Sequence, residues 1–455
     1  MSIAVVWRGK SALLHCSVHV SCRCCFQVVY VESEEGDDLV VLDPHWLGSS
    51  LVGSLLSRER LQQVRKTGVY SRDDLDLDRA LASSSTDIGS SLSDALPLLE
   101  ALELCVACDV DEDVEFEFPC FNFLDAPAAM WNAHSEDADG AGFAYGGVRL
   151  RPPAGSPPLL AHLFPRLQVQ LRRDFVQNHN SADCDLDQWR FGAKYCSGAM
   201  EALVTLERHE TCLELKCRAP PSQRSDLFFF FEDIYHIVMD ALSEMAPGLA
   251  LERHLLSPKH LQARMPSENV YAYPPKDVVR ALLLGEQEVV GEGELCESMS
   301  RLVCFGADDV LTSAVLGVDL HVSQLNVFAR RKLCAVLDPC DPMGRDWCLF
   351  AVSLGLTEAL PTLDVDAPPQ ARPRSKTDRA LEVWARRPDA TIGLLVRKLL
   401  ELGRDDAADA VLTYAPLFHI FQDDNSNVKT TGAPSPDVSA QLTNGCHDES
   451  NRVKT

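Results

Sequence analysis

The sequence predicts an α+β chain. Short strands and helices come first, then an antiparallel sheet carrying helices, then an all-α bundle of six helices and a polar tail. Three observations carry that prediction. In residues 212–218, Leu213, Leu215 and Cys217 alternate with Cys212, Glu214, Lys216 and Arg218, the period of a strand with one dry and one wet face. Ile392, Leu395, Leu399 and Leu402 recur at helical spacing. Trp347 and Trp384 sit in two amphipathic blocks separated by the Pro-rich stretch 364–375.

The elements follow from the N-terminus. Residues 1–25 crowd Cys16, Cys22, Cys24 and Cys25 together without helical or strand period, and are expected to be a disordered leader. Phe26 to Val31 and Leu39 to Leu42 flank Glu34-Glu35-Gly36-Asp37 as a hairpin. Asp43-Pro44 is a helix start, opening His45 to Leu56. A further helix is expected over 92–104, after the Ser-rich stretch 83–93, and the acidic segment 109–117 leads into a short strand.

From Tyr145 a strand begins, and Leu163 to Phe175 has the helical period. Trp189 to Phe191, Leu203 to Leu206 and Cys212 to Arg218 are expected to form an antiparallel meander, with Phe228 to Met245 stacked on it and stopped by Pro247-Gly248. Ser257-Pro258 caps a short helix. In the bundle, Ser323 is the expected cap of Gln324 to Leu337, Asp346 opens the second helix, and Leu356 to Leu363 is the third. Thr377 is expected to cap the helix of Trp384, and Gly403 to end the striped fifth. Asp405 to Leu412 makes the sixth, and the bundle is expected to be self-sufficient. Trp347, Trp384, Leu395 and Leu399 form its expected core. The domain boundaries implied are 1–25, 26–140, 141–318, 319–418 and a disordered 419–455.

At 455 residues, with 46% hydrophobic and 24% charged side chains, the chain has the bulk of several globular domains. Its net charge of −25 is unevenly placed: residues 1–320 hold 26 basic against 49 acidic side chains, residues 321–421 hold 13 of each. An acidic body repels phosphate backbones and anionic lipid, so neither nucleic acid nor membrane is an expected partner. Seventeen cysteines without regular spacing, no cleavable leader and no apolar run near the roughly 20 residues that span a bilayer imply reduced, mostly buried thiols and a cytoplasmic protein.

Catalytic and metal-binding patterns are incomplete. Gly9-Lys10-Ser11 lacks the first glycine of a phosphate-cradling loop, because Ala4 stands there. His15, Cys16, His19, Cys22, Cys24 and Cys25 lack the distant second pair that closes a zinc tetrahedron. The acidic runs starting at Asp109 and Asp183 begin like calcium loops. They carry Val114 and Cys120, or Gln188 and Lys194, where Gly and Glu are required, and are expected to be solvated loops. His209-Glu210 lacks the second histidine of a zinc-protease helix, and Gly48-Ser49-Ser50 lacks the glycine of a nucleophile elbow. No catalytic residue, cofactor or metal is expected, and the chain is expected not to be an enzyme.

Against that background, the chain resembles the C-terminal half of the death-associated protein kinases, the calcium/calmodulin-regulated kinases of Roco type. Leu325 to Leu337 with Arg330-Arg331-Lys332, Asp346-Trp347, Leu381-Glu382-Val383-Trp384 and Gly403-Arg404-Asp405-Asp406-Ala407-Ala408 resemble a death domain. Val40-Val41-Leu42-Asp43-Pro44-His45-Trp46-Leu47, Tyr145-Gly146-Gly147-Val148-Arg149 and Cys304-Phe305-Gly306 resemble the COR region of Roco proteins, first helical and winged, then α+β. Residues 1–25 fall outside the resemblance, and the family's kinase, ankyrin and GTPase modules have no counterpart here. The resemblance implies a scaffold in apoptosis and stress signalling that docks other death domains or signalling proteins and dimerises through the COR-like part. The expected docking residues are Arg330, Arg331, Lys332, Arg397, Lys398, Arg404, Asp405 and Asp406. The alternative is a nucleotide-dependent regulator using Gly9-Lys10-Ser11.

Overall fold

The β-branched, aromatic and apolar runs found above pair into antiparallel sheets. The computed structural model of the protein describes residues 6–8, 29–31, 39–41, 48–49, 53, 66–71, 92–110, 113–131, 142–178, 184–207, 211–364 and 375–419. Strands β1 (Val6–Arg8), β2 (Val29–Val31) and β3 (Leu39–Val41) form one sheet with β3 in the middle. The expected hairpin is present, with Val29 opposite Val41. Within residues 1–25, expected to hold no strand, Val6 pairs with Val41, because three residues are too few to show alternation in a sequence. The helix expected over 45–56 lies largely outside the described residues, as do the Ser-rich stretch and the polar tail.

Strands β4 (Val69–Ser71), β5 (Val106–Val110) and β6 (Asp113–Glu117) make a second sheet in the order β4-β6-β5, with helix α1 (Leu92–Ala101) before β5. The acidic segment from Asp109 is therefore a hairpin, with Asp109 opposite Val114, and not a loop. Phe118 and Phe121 close edge-on against Tyr70.

The central sheet has seven antiparallel strands. They are β7 (Ala144–Arg151), β8 (Cys184–Trp189), β9 (Gly192–Ser197), β10 (Met200–Leu206), β11 (Leu213–Ala219), β12 (Glu252–Leu256) and β13 (Ala272–Tyr273), in the order β13-β12-β7-β11-β10-β9-β8. The acidic run at Asp185 and Asp187 was expected to be a loop and is the edge strand β8. Its outward acids hid the alternation with buried Leu186. Helices α2 (Leu160–Asn178) and α3 (Arg224–Met245) cover one face. Leu167, Leu171, Phe231 and Ile234 of the helices share one core with Val148, Leu150, Val204 and Leu215 of the strands.

The opposite face was expected to be wet and is not. Glu214 is 1% exposed, Arg218 0%, Glu201 0% and Lys194 5%. Trp131 and Phe143 lie over the Arg218 guanidinium, at 5.1 and 4.7 Å from its carbon. Helix α4 (Pro258–Gln262), capped by Ser257 as expected, and the turn after it close the rest. Alternation of charge gave the wrong exposure because each acid is gripped by two bases. Glu214 accepts from Arg149 Nε at 2.7 Å and pairs with Lys216 at 2.6 Å. Glu201 pairs with Arg218 at 3.0 Å and Lys194 at 3.3 Å.

Beyond the sheet come α5 (Pro275–Leu284), the hairpin β14 (Glu288–Val290) and β15 (Cys296–Ser298), α6 (Met299–Cys304), α7 (Asp308–Ser313) and β16 (Val315–Leu316). The helical bundle follows: α8 (Val327–Leu337), α9 (Trp347–Ser353), α10 (Leu360–Leu363), α11 (Lys376–Trp384), α12 (Ile392–Glu401) and α13 (Asp405–Tyr414). Strand β17 (Phe418–His419) then returns to pair with β16.

The bundle shares its core with the segment before it. One buried cluster joins Val278, Val279, Leu282 and Leu302 to Trp347, Trp384, Leu395, Leu399 and Val411. Asp409 of α13 takes Lys276 at 3.0 Å and Arg280 at 2.6 Å from α5. Gly317 lies so near Pro416 that a Cβ there would stand 1.6 Å from its carbonyl oxygen. Phe418 packs 5.3 Å from Phe228 of α3, centroid to centroid.

The charged sheet face makes stability depend on acid. Burial by itself raises the pKa of Glu214, but Lys216 and Arg149 outweigh it and hold the carboxyl below its ordinary value of 4.5. The folded chain thus binds this proton more weakly than the unfolded chain. The contribution is complete above the unfolded pKa and is lost as pH falls through the lower, folded one. Glu214→Gln leaves the half-buried Arg149 and Lys216 without this countercharge, at a cost of about 3 kcal/mol. Thermal melts from pH 7 down to pH 3 should show a lower midpoint for the variant at neutral pH, and a weaker fall with acid than wild type.

Candidate docking surface on the helical bundle

Four helices of the bundle, α8, α9, α11 and α12, begin at a side-chain cap, and two of the expected caps are displaced. Asn326, not Ser323, caps α8, its Oδ1 accepting from Ala329 N at 2.8 Å; residues 322–324 form a separate tight turn. Asp346 caps α9 as expected, accepting from Cys348 N. Ser375, not Thr377, caps α11, accepting from Asp378 N at 3.0 Å. Thr377 is buried in the first turn, and its hydroxyl donates to Asp338 at 2.7 Å. Thr391 caps α12, and Gly403 takes the left-handed conformation (φ 67°) after it.

These caps sort the expected docking residues into different environments. Arg330 donates from Nε and Nη2 to Asp378 Oδ1, at 3.0 and 2.8 Å, as a strut between α8 and α11. Arg331 and Lys332, on the same turn, are exposed. Arg397 is exposed on α12, and Lys398 beside it pairs with Glu401 at 2.8 Å.

Arg404 is only 8% exposed. It donates to the Val336 carbonyl at 2.8 Å and to the Arg345 carbonyl, closing the end of α8, and forks onto Asp406. The same contact holds the Asp406 carboxyl below its ordinary pKa. Asp405 and Asp406 are themselves exposed in the first turn of α13, where the helix dipole favours acids. Trp347, Trp384, Leu395 and Leu399 are buried as expected, and the Lys376 ammonium sits 4.9 Å from the Trp347 ring centre.

A search for charge missed the apolar part of this surface. Met343 is 74% exposed, and Leu349 and Val352, three residues apart on one face of α9, are each 39% exposed. Cys348 on the same helix is exposed too. The signal was present in the sequence, since residues 347–352 are apolar all round, more than one buried stripe requires.

Chemistry elsewhere is sparse. Gly9-Lys10-Ser11, the His15 to Cys25 cluster and His209-Glu210 lie outside the described residues. Among the described residues no group of His, Cys, Asp and Glu could hold a metal ion, and no helix is long and apolar enough to cross a membrane. The twelve described cysteines are free, but fewer are buried than expected: five buried, four intermediate, three exposed. Burial pushes the Cys217 and Cys304 thiols up, and burial with Glu207 alongside pushes Cys212 up to about 12, which suppresses their thiolates.

The Death domain family model matches residues 330–415, the span from Arg330 to the end of α13. Over 395 residues, 86% of this chain, the sequence is 36% identical to the death-associated protein kinase dapk-1 of Caenorhabditis elegans. The chain spans 26% of that protein's length. The expectation that the chain is not an enzyme is corrected by this match, because the protein it aligns with over most of its length is a kinase.

Placement separates structural from surface charge. Arg404→Ala should cost about 2–3 kcal/mol, because it strips two part-buried carbonyls and Asp406 of their donor. Arg331→Ala should change stability by about 0.5 kcal/mol or less. Denaturant midpoints of the two variants check the difference.

Proposed function

We propose that this chain is a docking region of a death-associated protein kinase in apoptosis and stress signalling, and that it works in the cytoplasm. Its bundle binds other death domains, and residues 26–318 form a Roco-type COR region that dimerises. The observation that carries the reading is the death-domain match at 330–415 on a bundle that exposes Arg331 and Lys332 on α8 and Leu349 and Val352 on α9. Such a surface suits a death domain that offers acids around an apolar contact: desolvated apolar contact supplies affinity, and the charges select the partner and speed encounter. The division into 26–140, 141–318 and 319–418 is part of the same reading. It assigns the central seven-stranded sheet to the second COR-like part and the bundle to the death domain.

The docking residues proper are then Arg331, Lys332 and Arg397, with Lys398 and Asp405 at their margin. Arg330, Arg404 and Asp406 hold the bundle in shape. Arg331→Glu with Lys332→Glu should weaken capture of a death-domain partner by about tenfold or more, because charge reversal sets like charges together across the contact. The melting temperature should stay within error of wild type. Full binding by the double variant would remove these residues from the surface.

A further inference from the structure

We infer that a cleft between α3 and α6 binds a phosphorylated serine or threonine side chain of a peptide. The cleft has a volume of about 530 Å³, the size of a small-ligand site. Arg224, the first residue of α3, and Arg301 of α6 line it together with Ser298, Ser300 and Gln262. Both arginines are exposed. The Arg224 guanidinium lies over the backbone of Gly306, where a Cβ would stand 3.8 Å from its carbon.

Arg149, Arg166, Arg172, Arg218, Arg253, Arg280, Arg330, Arg345 and Arg404 each have a carboxylate partner. Among the described residues Arg224 and Arg301 have none, and Arg301 has only the Gln262 amide oxygen at 3.4 Å. Other described arginines, Arg331 and Arg397 among them, also have no carboxylate partner, but Arg224 and Arg301 are brought together on the wall of one cleft. In a chain of net charge −25, two arginines without carboxylates on one cleft concentrate positive charge where an anion can be held. Asp308, also on the wall, accepts from the Ser300 hydroxyl, so one acid stands against two guanidinium groups.

The shape is fixed from beneath. The Phe305 ring lies over Gly146, where a Cβ would be 1.9 Å from the ring, and Phe305 itself is in the left-handed region at φ 58°. The turn at 305–306 thereby brings α6 and α7 to the lip of the cleft. Guanidinium forks and hydroxyls match the oxygens of a phosphate monoester, which carries about −1.5 to −2 charge at neutral pH. The aromatic lining residues Phe143, Tyr145 and Phe305 are only 5–6% exposed, which leaves no apolar slot for a nucleotide base. That favours a phosphorylated side chain on a peptide crossing the open mouth.

The test uses the full chain and a fluorescent peptide with one phosphoserine flanked by glycines, its unphosphorylated twin, inorganic phosphate as competitor, and ATP and GTP. The phosphopeptide should saturate, the twin should not, and inorganic phosphate should displace the probe. Arg224→Glu and Arg301→Glu should each weaken binding by about tenfold or more with unchanged melting, as both side chains are exposed. Equal binding of the twin would overturn the inference on wild-type protein alone. So would undiminished binding by both arginine variants, or ATP or GTP held more tightly than the phosphopeptide through the same arginines.

Discussion

Helices α12 and α13 bury their apolar side chains in a core shared with α5, and the packing of α13 on α5 is what the rest of the architecture depends on. Ile392, Leu395, Val396 and Leu399 are all fully buried, as are Ala407, Ala408, Val411 and Leu412 of α13. Each large apolar side chain buried contributes about 1.5–3 kcal/mol. The ion pairs of Asp409 with Lys276 and Arg280 are 33–42% exposed, and pairs this open contribute about 0–1 kcal/mol. Apolar burial therefore decides the docking of the two parts, and the charges orient it. Small residues make the approach possible: a Cβ at Gly393 would meet the Val318 carbonyl at 2.9 Å.

The central sheet solves a related problem with charge. Its second face buries two bases and two acids and half-buries two more bases, an arrangement that costs desolvation and returns little net stability. What it gives is register, since sliding β11 by one residue would carry Glu214 and Arg218 into the apolar core of α2 and α3. The Arg149–Glu214 pair also ties β7 to β11, and through Ser267, whose carbonyl accepts from Arg149 at 2.8 Å, to the turn beyond α4. The sheet, its two long helices and the bundle thus form a continuous body, joined by one apolar seam and by the ring contacts of Phe418.

Much of this was legible in the sequence where a periodic signal is long. The 29–41 hairpin, the helices of 160–178 and 224–245 and the Ser257 cap all follow from spacing and punctuation, as do the apolar stripe of α12 and its closing Gly403. Features settled by tertiary partners were not legible. Ser375 and Thr377 are equally good caps by type, and the choice falls to Ser375 because Asp338 takes Thr377. Arg330 and Arg331 are indistinguishable neighbours until Asp378 claims the first. Arg404 reads as surface charge until the end of α8 is found against it. The wet face expected for β11 failed for the same reason, because alternation reports chemistry and burial depends on what packs above.

The face of α13 that meets α5 is occupied, whereas Arg331 and Lys332 of α8, Leu349 and Val352 of α9 and Arg397 of α12 remain exposed. The direct test compares hydrogen exchange and thermal melting of an excised 319–418 piece with the same helices in the full chain. A lower melting temperature and lost protection of α12 and α13 amides in the excised piece are the results expected from a shared core. Equal melting and equal protection in both would contradict it.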